Sequence, residues 1–191
     1  MTTPSLPVYL DYAATTPVDP QVADVMAKCL TQTGYFANPV SSHAPGVAAR
    51  MQVEAARAEL ARLLNCERDE IIFTSGATES NNLAIKGVAE FYADKKRHII
   101  SEKTGHKAVV STVKALEKQG WPVTWLVPEN DGVITAPQVE AAIRQDTVLV
   151  ALLHANNETG VLNDIDAISQ VTRQRGVLLH VDAAQSVGKI P

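Results

Sequence analysis

The sequence predicts an α/β protein with a mainly parallel sheet flanked by helices, and three observations carry that expectation. Two runs, VLVALLHA at 148–155 and VLLHVDAA at 177–184, are almost continuously apolar instead of alternating, the pattern of strands covered on both faces. Short β-rich runs alternate with helix-like stretches along most of the chain, as in repeated βα units. The helix-like stretches between them also carry their own start and stop signals.

In chain order, YLDYAATTP at the start is punctuated by Pro17 and Pro20, so residues 1–16 read as an arm outside the βα pattern. Asp19-Pro20 places an N-cap acid before a proline, the opening of a first helix. The longest helical stretch, 47–64, sets Val47, Met51, Ala55, Ala58 and Leu63 near one face and Arg50, Glu54, Arg57 and Glu59 toward water, a scaffold helix. Strands are expected at 71–74, 98–101, 123–127, 148–154 and 177–182. Thr135-Ala-Pro-Gln138 has capping-box spacing before VEAAIR. Gly120 and Gly176 each follow a helix whose last turn is basic, where cations complement the helix dipole.

Composition narrows the function classes. The 191 residues are 46% hydrophobic, 20% charged and 5% aromatic, with net charge −4; that is a globular balance, with no basic run to neutralise a nucleic-acid backbone. No uncharged apolar stretch approaches the roughly 18 residues that span a bilayer, and the first residues lack a signal peptide's basic flank. A cytoplasmic protein without nucleic-acid or membrane partners is expected. Cys29 and Cys66 have no CxxC spacing, so neither a disulfide framework nor a metal site is indicated.

Chemistry gathers at predicted strand ends. Ile71 to Ser80 (IIFTSGATES) ends a strand in small hydroxyl residues and glycine before the helix-like NNLAIKGVAEFY. Gly76 permits close backbone approach, and free N–H groups with the Thr78 hydroxyl suit a phosphate; a plainly capped turn needs the same residues. The segment is neither GxxxxGK[ST] nor GxGxxG, so P-loop and Rossmann readings lose most of their support. Asp182 stands at the carboxyl end of the last strand, a ligand-binding position in parallel sheets. There it could hold a metal, act as a base, pair with a protonated heterocycle, or merely cap a helix. Gln185 is three residues on. Two further strand ends offer His106, in SEKTGH, and Asn157, in HANNETG. A lone histidine is usually structural, and that holds for His43, His98, His106, His154 and His180 taken singly; shared position at strand ends is what raises His106 and its companions.

These residues are recognisable together. YLDYAATTPVDP, NPVSSH, FTSGATESNNLAIKG, TGHKAV, HANNETGV and HVDAAQSVGK, in that order and spacing, resemble the N-terminal half of cysteine desulfurases, in the class V aminotransferase-like branch of fold-type I pyridoxal 5′-phosphate (PLP) enzymes. The resemblance implies that residues 17–191 are an incomplete large domain of the PLP-dependent transferase fold, and that the 1–16 arm joins the small domain of the full enzyme. It implies that Ala77 and Thr78 cup the cofactor phosphate and His106 stacks on the pyridine ring. Asp182 would pair with the ring nitrogen and keep it protonated, Gln185 would bond the phenolic oxygen, and Asn157 would orient the ring and the substrate carboxylate.

The implied activity of the whole enzyme is conversion of L-cysteine to L-alanine, with sulfur leaving as an enzyme persulfide for an acceptor or scaffold protein in iron–sulfur cluster assembly. The family is homodimeric. Its Schiff-base lysine, persulfide cysteine and substrate arginine lie downstream of the matched segments; Lys86, Lys107 and Lys189 do not align with that lysine, and Cys29 and Cys66 read as scaffold. The 191 residues alone are therefore expected to be inactive, as a fragment of a longer enzyme, with a split-enzyme or non-catalytic partner subunit as the rival. A selenocysteine lyase or an aminotransferase is the rival within the cofactor group. One departure is local: Gly105 stands where many relatives place an acid before the histidine.

Overall fold

The structure is a computed structural model that describes residues 7–190. The first six residues of the predicted arm, and Pro191, lie outside the described residues. The chain divides into two compact units, Met1–Phe73 and Thr74–Pro191.

In the first unit, α1 (Pro20–Lys28) opens as the sequence indicates, with the Asp19 carboxylate accepting from the Gln21 N–H at 2.8 Å. Helix α2 (Ala44–Leu64) starts three residues earlier than its apolar pattern predicts. His43 is its N-cap, Nδ1 accepting from the Gly46 N–H at 3.2 Å, with proline in the first turn. The HAPG stretch reads as a loop by composition, yet Gly46 is where the helix meets preceding chain: a Cβ there would lie 2.6 Å from the Ser41 carbonyl oxygen. The predicted inward face is also corrected. Gly46, Ala49 and Ala61 are the buried positions of α2, whereas Met51 and Leu63 are 65% and 63% exposed. Close backbone approach selects small residues, and the larger apolar ones point away. The helix ends on Asn65 at φ 51°, a left-handed cap. The strand expected at 71–74 does not form; these residues run without a ladder partner among the described residues, and a strand exists only by pairing.

The second unit is a four-stranded parallel sheet in the order β2-β1-β3-β4, built from β1 (His98–Glu102), β2 (Val123–Leu126), β3 (Thr147–Leu153) and β4 (Leu178–Asp182). Four helices accompany it: α3 (Ala77–Tyr92), α4 (Lys107–Lys118), α5 (Ala136–Ala142) and α6 (Ile165–Gln174). Alternate strand residues enter opposite cores. Ile99, Leu149 and Ala151 join Ile85, Val109 and Val113 of α3 and α4, while Ile100, Val150 and Leu152 join Val139 and Ile168 of α5 and α6. Two covered faces are why these strands read as unbroken apolar runs. The Thr135–Gln138 capping box forms in both directions, and Gly120 and Gly176 follow their helices at φ 89° and 60°. No helix among the described residues is long and apolar enough to cross a membrane.

This strand order has a functional consequence. The chain leaves β1 toward β2 on one side and then returns for β3 on the other, so the loops after β1 and β3 lead to helices on opposite faces. They part at the carboxyl edge, the topological switch point where open parallel sheets bind ligands.

At the opposite, amino edge, His98 is fully buried, its ring nitrogens bonded to Thr147 Oγ1 at 2.7 Å and Thr124 Oγ1 at 2.8 Å across three strands. Burial holds this ring below the usual histidine range; Arg144 adds to the effect and Asp146 opposes it. An unfolded chain therefore takes up the proton at higher pH than the folded one, and stability drops as pH falls through the ordinary histidine range. His98→Ala should cost about 3 kcal/mol in urea unfolding at pH 7.5, from a cavity and two abandoned hydroxyls, and should flatten the loss of stability between pH 7.5 and 5.5.

Candidate functional site

The site begins where α3 starts. Gly76 precedes it at φ 156°, ψ 179°, a region essentially reserved for glycine, and a Cβ built there meets nothing within 4 Å. The helix starts at Ala77, ahead of the NNLAIKG segment where its pattern becomes visible, so Ala77 and Thr78 occupy its first turn. The first helical bond back is from Ser80 N–H to the Gly76 carbonyl at 3.1 Å, so the N–H groups of Ala77, Thr78 and Glu79 have no acceptor within the helix. The Glu79 carboxylate turns back onto Ser75, accepting its N–H at 2.7 Å and its hydroxyl at 2.6 Å, and these bonds hold it below the usual carboxylate range. This helix start presents unbonded N–H groups, with open space over its glycine.

Asp182 ends β4 and is 4% exposed. Its Oδ1 accepts the Ala184 N–H at 3.1 Å and so holds the turn that follows; no helix begins there among the described residues, so it is not a helix cap. Its Oδ2 accepts from Asn81 Nδ2 at 2.8 Å, and Asn81 Oδ1 meets His180 Nε2 at 2.7 Å. A carboxylate only accepts, so the Asn81 amide must face it with nitrogen and face His180 with oxygen, which makes His180 Nε2 the donor. Burial keeps the His180 ring below its usual range against the pull of Asp182. Asn81 lies one helical turn beyond Thr78. The acid and this helix start are thereby tied to the same end of the sheet.

The remaining expected residues lie close by. Thr78 and His106 both line a cleft of about 380 Å³ between α3 and α4. His106 and Asn157 both line a second cleft, of about 530 Å³, at the switch point between the β1 and β3 loops. His106 also caps α4, its Nδ1 accepting the Ala108 N–H at 3.2 Å, and its ring is exposed. Asn156 shapes the neighbouring loop, accepting from Glu158 and Thr159 N–H groups and donating to the Thr104 carbonyl at 3.1 Å. Gln185 is half-buried in the turn after Asp182, with Lys189 Nζ 3.5 Å from its carbonyl oxygen, and neither cleft includes it. His154 bonds Ser186 Oγ at 2.9 Å.

Two residues escape a reading of the sequence. Asn81 is a buried amide on the stripe it shares with Ile85 and Ala89, and a polar residue on an apolar helix face is the signal that could have found it. Glu102, 3% exposed, is the other buried acid among the described residues. Among those residues no cluster of three His, Cys, Asp or Glu side chains could hold a metal ion.

The carboxyl edge of this parallel sheet thus carries a helix start with unbonded N–H groups, a buried acid and two clefts. Residues 8–191 match the sequence model of the aminotransferase class-V family, and the chain belongs to that family. It is 58% identical over 186 residues to the cysteine desulfurase IscS of Stutzerimonas stutzeri (strain A1501), a match covering 97% of this chain and 46% of that protein. The chain spans about half the length of the curated relatives it matches. Among solved structures, a NifS-like protein superposes with a TM-score of 0.93 at 37% identity, over 97% of this chain and 51% of the other. A structure described as SspA in complex with cysteine gives 0.89 at 43% identity, over 93% and 51%.

Proposed function

We propose that this chain is the cofactor-binding portion of a PLP-dependent cysteine desulfurase, which as a whole protein converts L-cysteine to L-alanine and passes on the sulfur. Class V aminotransferases and IscS-type relatives are PLP-dependent. The single observation carrying the reading is the 2.8 Å bond from Asn81 to Asp182, which joins the phosphate-type turn to a buried acid within one helical turn. The chain's residues fit the group chemically: free N–H donors and open space for a phosphate, and a buried carboxylate with lone pairs left for a protonated nitrogen.

The N–H groups of Ala77 and Thr78, with the Thr78 hydroxyl, bind the phosphate. Asp182 holds a proton on the ring nitrogen, where its low exposure makes the charge pair stronger than it would be in water. His106 covers one ring face, Gln185 bonds the phenolic oxygen, and Asn157 orients the phenolic side and the substrate carboxylate. Bound PLP supplies an electron sink for bonds broken at the substrate α-carbon. Asn81 keeps Asp182 in one orientation while this happens.

The sulfur's passage to an acceptor or scaffold protein, iron–sulfur cluster assembly, a homodimer and a cytoplasmic location belong to the same reading, supported by the resemblance to the IscS-type relatives. So do the 1–16 arm as part of a small domain and 17–191 as the PLP-binding one. An absorbance titration tests the core of it. The chain should bind PLP, Gly76→Val should weaken binding by about five- to a hundredfold by straining the turn, by about 1–3 kcal/mol, and no alanine should form from L-cysteine with the chain alone. Equal affinity in the variant would remove the phosphate turn from the site.

A further inference from the structure

Glu102 is a buried acid that the proposed chemistry does not use, and it stands beneath the switch-point cleft. Its Oε1 accepts the Leu153 N–H at 2.6 Å where the β1–β3 ladder ends, and its Oε2 lies 3.0 Å from the Thr104 hydroxyl. Thr104, Gly105 and His106 form the turn directly above it. A Cβ at Gly105 would come 3.2 Å from Glu102 Cγ, so the absence of a side chain at 105 and the buried acid at 102 fit one another.

We propose that Glu102 is a positioning residue carried as a neutral carboxylic acid, which braces the turn bearing His106 and leaves Asp182 as the one buried negative charge of this edge. The inference rests on the reading of Asp182 as partner of the cofactor ring. The donor and acceptor count accommodates the neutral form: Oε1 keeps the Leu153 N–H, and the Thr104 hydroxyl, which donates to an ionised Oε2, can turn to accept from an Oε2 hydroxyl. Burial disfavours the ionised form, and Asp182 disfavours it further; the Leu153 and Thr104 bonds pull the other way. Facing groups are few. From β4 the acid feels the charge of Asp182, whose Asn81 partner in turn bonds His180. On its own loop and the start of α4 stand exposed Lys103, His106 and Lys107, and past β3 His154 is bonded to Ser186.

The test compares Glu102→Gln, which mimics the neutral acid, with wild type. An acid whose proton is held more tightly when folded loses stability as pH rises above the ordinary glutamate range, because the unfolded chain ionises first; Gln has no such loss. The difference in urea midpoints between Glu102→Gln and wild type should therefore move in favour of the variant from pH 5 to pH 8, with titrations elsewhere cancelling. PLP affinity should stay within about twofold of wild type in Glu102→Gln and fall about tenfold in Glu102→Ala. A Gln variant that loses ground toward pH 8, or binds PLP tenfold more weakly, overturns the proposal. If wild type itself fails to bind PLP, the cofactor reading falls, and the sign of the midpoint shift still decides the protonation state of Glu102. Should Glu102→Ala not fold, the Gln comparison decides alone.

Discussion

Asp182→Asn is expected to keep the fold and to weaken PLP binding about a hundredfold. The two side chains have nearly the same shape, but Asp182 has two acceptor oxygens, each already holding one bond, from the Ala184 N–H and the Asn81 amide, with a lone pair to spare. An asparagine has a single oxygen. If that oxygen serves Ala184, its nitrogen faces Asn81, whose amide must then turn round; His180 can follow by moving its proton to Nδ1. The rearrangement costs about 1–2 kcal/mol. The ligand fares worse, because the variant has no charge with which to hold a proton on the ring nitrogen. Loss of a charge-assisted, water-excluded hydrogen bond of roughly 2.7 kcal/mol corresponds to a hundredfold in affinity. An absorbance titration at pH 7.5, with urea unfolding as the control for folding, measures both effects. Wild-type affinity in a folded Asp182→Asn chain would show that the ring nitrogen lies elsewhere.

Most of what positions this edge was legible because it rests on local physics. Strands covered on both faces must be apolar throughout, and Val148–Val150 with Leu152 and Leu153 cannot be hidden in any other pattern. Asp19, Thr135, Gly120 and Gly176 act on their own neighbours, so their capping roles follow from spacing. What could not be read depends on distant partners. Residues 71–74 have strand composition, but pairing is a property of two segments. In α2 the stripe of larger apolar residues dominates any periodicity, whereas Gly46, Ala49 and Ala61 meet the chain only because they are small.

The candidate site divides along the same line. His106 and Asn157 follow strand ends and Asp182 closes one, and a parallel sheet delivers all its carboxyl ends to one edge; Thr78 stands in the first turn of α3, after residues that form no strand. Asn81 and Glu102 owe their roles to contacts across 101 and 51 residues of sequence, which no local pattern encodes. Gly105 is instructive here. As a sequence feature it is only a missing acid; in the structure it is the space against which Glu102 lies.

Asn81 gives the largest expected effect on stability. Its amide is 3% exposed and satisfies Asp182 and His180 together. Asn81→Ala leaves a buried carboxylate without its side-chain donor and a ring N–H without an acceptor. Removing one partner from a buried charge costs about 3–5 kcal/mol, a large fraction of the stability of a domain this size. Asn81→Asp sets a second acid directly against Asp182, and their mutual repulsion is relieved by taking up a proton. Its folded state thus binds a proton that the unfolded chain has already released near neutrality, so its stability must fall as pH rises from 5 to 8. Asn81→Ala introduces no new titrating group and should show a smaller trend. Urea midpoints of the two variants at both pH values distinguish these outcomes, and values within about 1 kcal/mol of wild type would mean that the Asn81 bridge is not what holds Asp182 beside the first turn of α3.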